Sequence, residues 1–158
     1  MNEAEIRKIV QNTISELKPD KSKMTLSLAE KLCDKVISKA TELKVNAVVC
    51  ISDAGGHPIL VKCMDDAYIA SYDIAVNKAY TVVALKMSTS TLKEMAQPNE
   101  SLYGIQFTNG GKIVIFGGGD PLTDPDGKIV GGIGVSGGSE AQDSELSAFG
   151  KDYFENKM

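Results

Sequence analysis

The chain has 158 residues, with 17 Lys and Arg against 21 Asp and Glu, which gives a formal net charge of −4 and fits one domain. A hydrophobic fraction of 42% and a charged fraction of 24% are typical of a globular protein and exclude wholesale disorder. A pI near 5.0 without a basic stripe argues against nucleic acid as a partner, and no apolar run is long enough to predict a membrane span.

Residues 1–18 are predicted to form a separable amphipathic helix. Its apolar side chains recur at the spacing of one helical face, at Ile6, Ile9, Val10, Thr13, Ile14 and Leu17. Residues 19–25 combine a proline with polar residues and predict a linker. Residues 26–158 are then expected to form the main domain.

The first half of that domain alternates helices with a hairpin. Ser27 and Glu30 predict a capping box at the start of a second helix. Strands are expected over residues 45–51 and 59–63, joined by a turn at residues 53–57, and helices over residues 70–87 and 89–95.

The second half is rich in glycine, because 12 of the 15 glycines fall between Gly104 and Gly138. Strands are predicted over residues 112–116 and 128–135, with a turn at residues 124–127, and Ser139 with Gln142 predicts a capping box for the last helix. Hairpins on both sides of the central helices favour an α+β domain with a mostly antiparallel sheet flanked by helices.

The glycine-rich segment at residues 132–137 fits two interpretations. It matches the dinucleotide pattern GxGxxG, but such a site needs a second strand with an acidic residue, and the sequence stops at Met158 within the last helix. Gly137, Gly138 and Ser139 instead are candidates to bind an anion, such as a propionate, through backbone amides. The alternative is a strand-to-helix turn that needs glycine for close packing.

His57 is the one histidine, and it lies in the first hairpin turn. Without a second imidazole or clustered cysteines it does not predict zinc, but a single axial ligand suffices for haem. The alternative is a solvated turn residue. The odd count of three cysteines favours reduced thiols in a cytoplasmic location.

Several segments taken together resemble the GlcG/HbpS-like haem-binding family, which includes the C-terminal domain of PduO-type cobalamin adenosyltransferases. The resemblance covers about residues 24–155, and its motifs lie at residues 47–61, 64–67, 71–79, 117–122, 134–138 and 142–143. It implies an α+β domain with a five-stranded antiparallel sheet, a homo-oligomer and, for some members, a bound haem or related tetrapyrrole. The resemblance does not identify which residue of this sequence would be the axial ligand.

Residues 1–18 resemble the encapsulation peptides that direct cargo into bacterial microcompartments. Such a peptide needs a narrow apolar stripe and a tether, and this segment has both. It would contact shell or cargo proteins. The alternative is an ordinary first helix that packs on its own domain or on a neighbouring subunit.

Together these patterns predict an oligomeric haem- or tetrapyrrole-binding accessory protein, associated with a cobalamin-dependent or related microcompartment pathway. His57 would be the metal ligand, and Gly137, Gly138 and Ser139 would complete the cofactor site. One alternative is an enzyme acting on a small organic acid or aldehyde, with Asp53, Asp73 and Lys78 at an intersubunit cleft. Another is a non-catalytic assembly protein.

Overall fold

The sheet has four strands rather than about five in the part of the chain that the computed structural model describes, which is residues 2–158 without the side chains of residues 14–17. The strands are β1 (Val48–Asp53), β2 (Pro58–Cys63), β3 (Gly119–Thr123) and β4 (Ile129–Ser136). All neighbours are antiparallel, in the order β2-β1-β4-β3. The α+β class and the antiparallel sheet are therefore confirmed.

Five α-helices accompany these strands in the described residues: α1 (Glu3–Leu17), α2 (Leu26–Glu42), α3 (Ile69–Ala84), α4 (Thr89–Met95) and α5 (Glu140–Asp152). Short 3₁₀ turns follow at Ile105–Phe107 and Asn109–Gly111, and a π-helical turn at Tyr153–Lys157 extends α5. All five helices were predicted, with ends shifted by up to three residues.

The helices cover both faces of the sheet. Helices α2 and α5 bury Leu32, Val36 and Leu146 against one face, in the larger hydrophobic cluster. Helix α3 lies on the other face and approaches β4 closely, because a Cβ at Gly134 would lie 2.0 Å from the Ala75 carbonyl oxygen. The GxGxxG glycines of β4 therefore serve helix packing.

The predicted strand at residues 112–116 is wrong. Ile113 and Val114 are buried, but the amide of Val114 donates to Thr81 Oγ1 at 3.0 Å, and Thr81 Oγ1 lies 3.3 Å from the Lys112 carbonyl oxygen. A side chain of α3 thus provides the backbone hydrogen bonds that a neighbouring strand would otherwise provide to this segment. Its β-branched composition reflects burial against a helix and not membership of the sheet.

The helix caps differ in part from the predicted ones. Thr25, not Ser27, caps α2, since its hydroxyl accepts from the Leu28 amide at 3.2 Å. The predicted capping box of Ser139 and Gln142 is confirmed at α5. A further capping box, which was not predicted, joins Asn2 and Glu5 at α1.

The segment at residues 19–25 is held against the C-terminal turn. Lys21 Nζ donates to the carbonyl oxygens of Phe154 and Glu155 and lies 5.3 Å from the centre of the Phe154 ring. Ahead of it, the N-cap Asn2 and residues 3–13 of α1 are all exposed. None of the described helices is both long and apolar enough to cross a membrane.

Candidate functional site

The hairpin between β1 and β2 presents His57 to solvent, with 82% of its side chain exposed. The turn is held by Asp53, whose Oδ1 accepts from the amides of Gly55 at 2.8 Å and His57 at 3.0 Å. His57 Nδ1 lies 3.4 Å from the same Oδ1 atom. One carboxylate oxygen therefore fixes the turn and faces the imidazole.

Asp53 remains ionised at neutral pH. Burial is the largest single influence and raises its pKa, but hydrogen bonds from the His57 and Gly55 amides and the nearby imidazole together bring the pKa below its usual 3.8. An ionised carboxylate beside Nδ1 favours the tautomer that carries its proton there. Nε2, on the other side of the ring, then keeps a free lone pair for a metal.

An aromatic ring packs against this turn, and a cation lies beside the ring. A Cβ at Gly56 would lie 2.9 Å from Tyr80 Cδ2, so the backbone of the turn packs directly on the Tyr80 ring. Lys112 Nζ lies 5.6 Å from the centre of that ring, and Asn109 Nδ2 donates to the Tyr80 hydroxyl at 3.1 Å. We call Asp53–His57 and Tyr80 the hairpin site.

The hairpin between β3 and β4 has the same turn without a histidine. Asp124 Oδ1 accepts from the amides of Asp126 at 3.0 Å and Lys128 at 2.9 Å, and Gly127 has a φ of 81° where Gly56 has 76°. The two turns lie at the same end of the sheet, because Asp53 pairs with Gly131 near the start of β4. Asp124 and Lys128 are therefore matched counterparts of Asp53 and His57.

The predicted anion-binding residues lie at the opposite end of the sheet, where β4 leads into α5. Ser136 pairs with Val48, the first residue of β1, while the hairpin site follows Asp53, the last. At about 3.4 Å per residue the two ends are roughly 17 Å apart. Within one chain the structure does not bring His57 and Gly137–Ser139 together.

The amides at this end are already engaged within the chain. Gly138 donates to Asp143 Oδ1 at 2.9 Å, and Ser139 donates to Gln142 Oε1 at 2.9 Å. A carboxylate of the protein itself thus occupies the position proposed for an external anion. The structure does not test whether Gly137, Gly138 and Ser139 bind a propionate, so that role stays a prediction.

A buried ion pair supports that carboxylate. Lys78 is fully buried, and its Nζ lies 3.1 Å from Asp143 Oδ2. The same Nζ donates to the Val135 carbonyl oxygen at 2.7 Å and lies 4.9 Å from the centre of the Phe116 ring. Burial lowers the pKa of Lys78 below its usual 10.5, and the Asp143 carboxylate offsets part of this effect. A Cβ at Gly118 would lie 2.6 Å from Nζ, so glycine is required there.

Comparison with known proteins assigns the family. The model of the family described as haem degrading protein HbpS-like matches residues 24–150. The chain belongs to the HbpS-like family. It is 44% identical, over 83% of its length and 92% of the relative's, to a 15.0 kDa protein of Citrobacter freundii encoded between dhaT and dhaS.

Two further HbpS-like relatives connect the chain with PduO. It is 36% identical to the corrinoid adenosyltransferase PduO of Salmonella typhimurium over 90% of this chain, which spans 44% of the length of PduO. The crystal structure of a PduOC complex with haem superposes with a TM-score of 0.78 at 36% identity, over 82% of this chain and 93% of that one.

The HbpS-like chain does not assemble the three residues of the alternative enzyme hypothesis within one subunit. Asp53 lies in the hairpin site, Asp73 is exposed on α3, and Lys78 is buried against Asp143. The described residues contain no group of three or more His, Cys, Asp or Glu side chains placed to hold a metal ion. Asp143, the partner of Lys78, was missed as a site residue.

Proposed function

We propose that this chain binds haem, with His57 as an axial ligand. Its membership of the HbpS-like family and its likeness to the haem-bound PduOC structure support this function. The observation that carries the choice of ligand is the exposed imidazole whose Nδ1 faces an ionised Asp53 at 3.4 Å. A neutral imidazole oriented by a carboxylate is a common arrangement for metal-binding histidine, and haem iron accepts such a nitrogen.

The surroundings of His57 fit a flat, apolar cofactor with acidic substituents. The Tyr80 ring behind Gly56 offers an aromatic surface, and Lys112 beside it offers a positive charge for a propionate. When bound, haem supplies redox chemistry at its iron. The chain supplies the imidazole nitrogen, its orientation through Asp53 and the shape of the surface.

The same proposal includes a homo-oligomer. A haem that contacts both His57 and Gly137–Ser139 has to lie between two copies, because one copy holds these residues at opposite ends of its sheet. The start of α3 offers an apolar surface for a second copy, where Ile69 is 97% exposed between the exposed rings of Tyr68 and Tyr72. Light scattering should report a multimer that Ile69→Glu weakens and that Lys86→Glu, an exposed site just after the C-terminal end of α3, leaves intact.

A haemin titration tests the function, with the two equivalent hairpins providing the controls. The wild-type protein should produce a saturable Soret shift at micromolar concentration. His57→Ala should abolish it, and Asp53→Asn should weaken binding about tenfold or more through loss of imidazole orientation. Asp124→Asn removes the equivalent carboxylate from the other turn and should bind haemin as the wild type does.

The outcomes separate the parts of the proposal. A wild-type protein without a Soret shift would refute haem binding and favour an assembly role. An unchanged spectrum in His57→Ala would refute this ligand while leaving haem binding intact. Equal losses in Asp53→Asn and Asp124→Asn would mean that the carboxylates act through turn stability and not through the imidazole.

A second element of the proposal is that residues 1–18 direct the chain into a bacterial microcompartment. Helix α1 exposes Ile6, Ile9 and Val10 along one face, and they are available to a shell or cargo helix. The side chains of Ile14 and Leu17, which extend the predicted stripe, lie outside the described residues. Corrinoid adenosyltransferase PduO is among the relatives of the chain.

Fluorescence imaging tests the targeting. Residues 1–20 fused to green fluorescent protein should form puncta in a host with a matching compartment. Ile9→Glu should disperse them, and Lys8→Glu, a polar neighbour outside the apolar stripe, should not. Diffuse fluorescence of the unmodified fusion would contradict targeting and favour packing of α1 on a neighbouring subunit.

A further inference from the structure

A second candidate site lies at the end of the sheet far from His57. A cavity of about 270 Å³ opens between the start of α3 and the β4–α5 junction. Its side chains include Ser71, Ile74, Phe116, Ser136 and Asp143, and we call it the glycine cleft because Gly137 and Gly138 complete the wall. At about 30 Å³ per water molecule, a volume of about 270 Å³ has room for a molecule of about nine heavy atoms.

One hydroxyl group in this cleft lacks an acceptor. Ser71 is 3% exposed and Ser136 is 5% exposed, and Ser136 Oγ donates to Ser71 Oγ at 3.1 Å. The proton of Ser71 has no hydrogen-bond acceptor among the described residues, although Ser71 lines the cavity. Ser71 Oγ already accepts one hydrogen bond, and its proton is available to an acceptor inside the cleft.

The carboxylate that lines the same cavity is Asp143, which is 4% exposed. Each of its oxygens takes one hydrogen bond from the chain, from Lys78 or from Gly138. A carboxylate has about four lone-pair positions, so both oxygens can still accept. Ser71 and Asp143 therefore present a donor and an acceptor to the same cavity.

The charge of the cleft determines the class of ligand. Asp143 is balanced by Lys78, and Glu140 at the rim is balanced by Lys93, with a shortest contact of 2.7 Å. An incoming anion would meet the carboxylates of Asp143 and Glu140 at the cavity wall, and an incoming cation would compete with Lys78 for Asp143. An uncharged ligand avoids both penalties.

We infer that the glycine cleft binds a short-chain aliphatic alcohol. One hydroxyl group of the ligand would accept from Ser71 and donate to Asp143, which uses both of its hydrogen-bonding roles. The carbon chain would lie against Ile74 and Phe116, on the apolar side of the cavity. This inference goes beyond haem binding through His57, because the hairpin site lies at the other end of the sheet within one chain; the cleft shares only Gly137 and Gly138 with the predicted propionate position.

An NMR titration of the full chain with 1-butanol tests the inference. Saturable shifts are expected for the backbone amides of Ser71, Phe116 and Gly138. Ser71→Ala should weaken binding about fivefold to tenfold, as expected for one lost hydrogen bond. Ser52→Ala removes a buried serine hydroxyl outside the cleft and should leave the affinity unchanged.

Further variants and ligands make the test decisive. Ala70→Leu fills the cavity from its exposed rim without removing a hydrogen bond, and should abolish the shifts even if Ser71→Ala folds poorly. Butanoate and butylammonium should each bind at least about tenfold more weakly than 1-butanol. An absence of saturable shifts, equal affinity in Ala70→Leu, or tighter binding of butanoate would overturn the inference.

Discussion

The buried pair of Lys78 and Asp143 makes a specific prediction for Asp143→Asn. The substitution preserves the shape of the side chain and an acceptor for the Gly138 amide, but it leaves Lys78 buried without a counter-charge. Removing one partner of such a pair typically costs about 3–5 kcal/mol. The cost has a ceiling, because Lys78 can lose its proton: the gap of about 3.5 pH units between pH 7 and the ordinary lysine pKa of 10.5 is worth about 5 kcal/mol.

The pH dependence distinguishes this mechanism from simple loss of packing. In Asp143→Asn the folded state holds a neutral Lys78 and the unfolded state a protonated one, so the unfolded state binds one more proton. The stability of the variant should then rise with pH by about 1.4 kcal/mol per pH unit between pH 7 and 9, relative to the wild type.

Urea denaturation at pH 7, 8 and 9 measures both quantities. Asp34→Asn is the matched control, because it removes the carboxylate of an exposed pair with Lys62 and should leave the free energy of unfolding unchanged. A loss below about 1 kcal/mol at pH 7 for Asp143→Asn, or a larger loss that does not vary with pH, would refute the reasoning.

Three further predictions concern packing, pH and thiol reactivity. Gly134→Ala places a methyl group 2.0 Å from a carbonyl oxygen of α3 and should lower the free energy of unfolding by about 2–3 kcal/mol. Gly127→Ala meets nothing within 4 Å and should lower it by only about 1 kcal/mol, because of the positive φ. Equal losses of stability in urea denaturation would contradict the packing argument. Burial raises the pKa of Asp120 above its usual 3.8. The folded state therefore binds this proton more tightly than the unfolded state, and the wild type loses stability as the pH rises from 3.8 through the raised pKa. Asp120→Asn should then unfold at a higher urea concentration than the wild type at pH 7, but not below pH 3.8. A loss of stability at pH 7 would contradict that sign. A disulfide reagent should modify Cys63 alone in the native protein, because burial raises the pKa of the other two thiols to about 12, and rapid reaction of a second thiol would contradict their burial.

Local chemistry allowed the hairpins and helices to be predicted. An Asp followed by a glycine at the turn can bond its own backbone, and this rule identified the turns at Asp53 and Asp124. The strand at residues 112–116 was wrong because its partner is the Thr81 hydroxyl on α3, which is distant in sequence. Burial against a helix and burial in a sheet select the same β-branched residues, so composition does not distinguish them.

The candidate site was less predictable than the fold. Lys78 lies among the small and apolar residues of the buried face of α3, but its partner Asp143 comes from α5 and is 65 residues away in sequence. The register of β1 against β4 then separates His57 from Gly137–Ser139. Local spacing predicts neither relationship, because the first depends on how α3 and α5 pack and the second on how β1 and β4 pair.

The most direct test of haem binding through His57 is a haemin spectrum of His57→Ala with and without free imidazole. The wild-type Soret band should be lost in this variant and should return when millimolar imidazole replaces the missing ligand, while Asp124→Asn should retain the wild-type band throughout. A full wild-type Soret band in His57→Ala without imidazole would contradict the account.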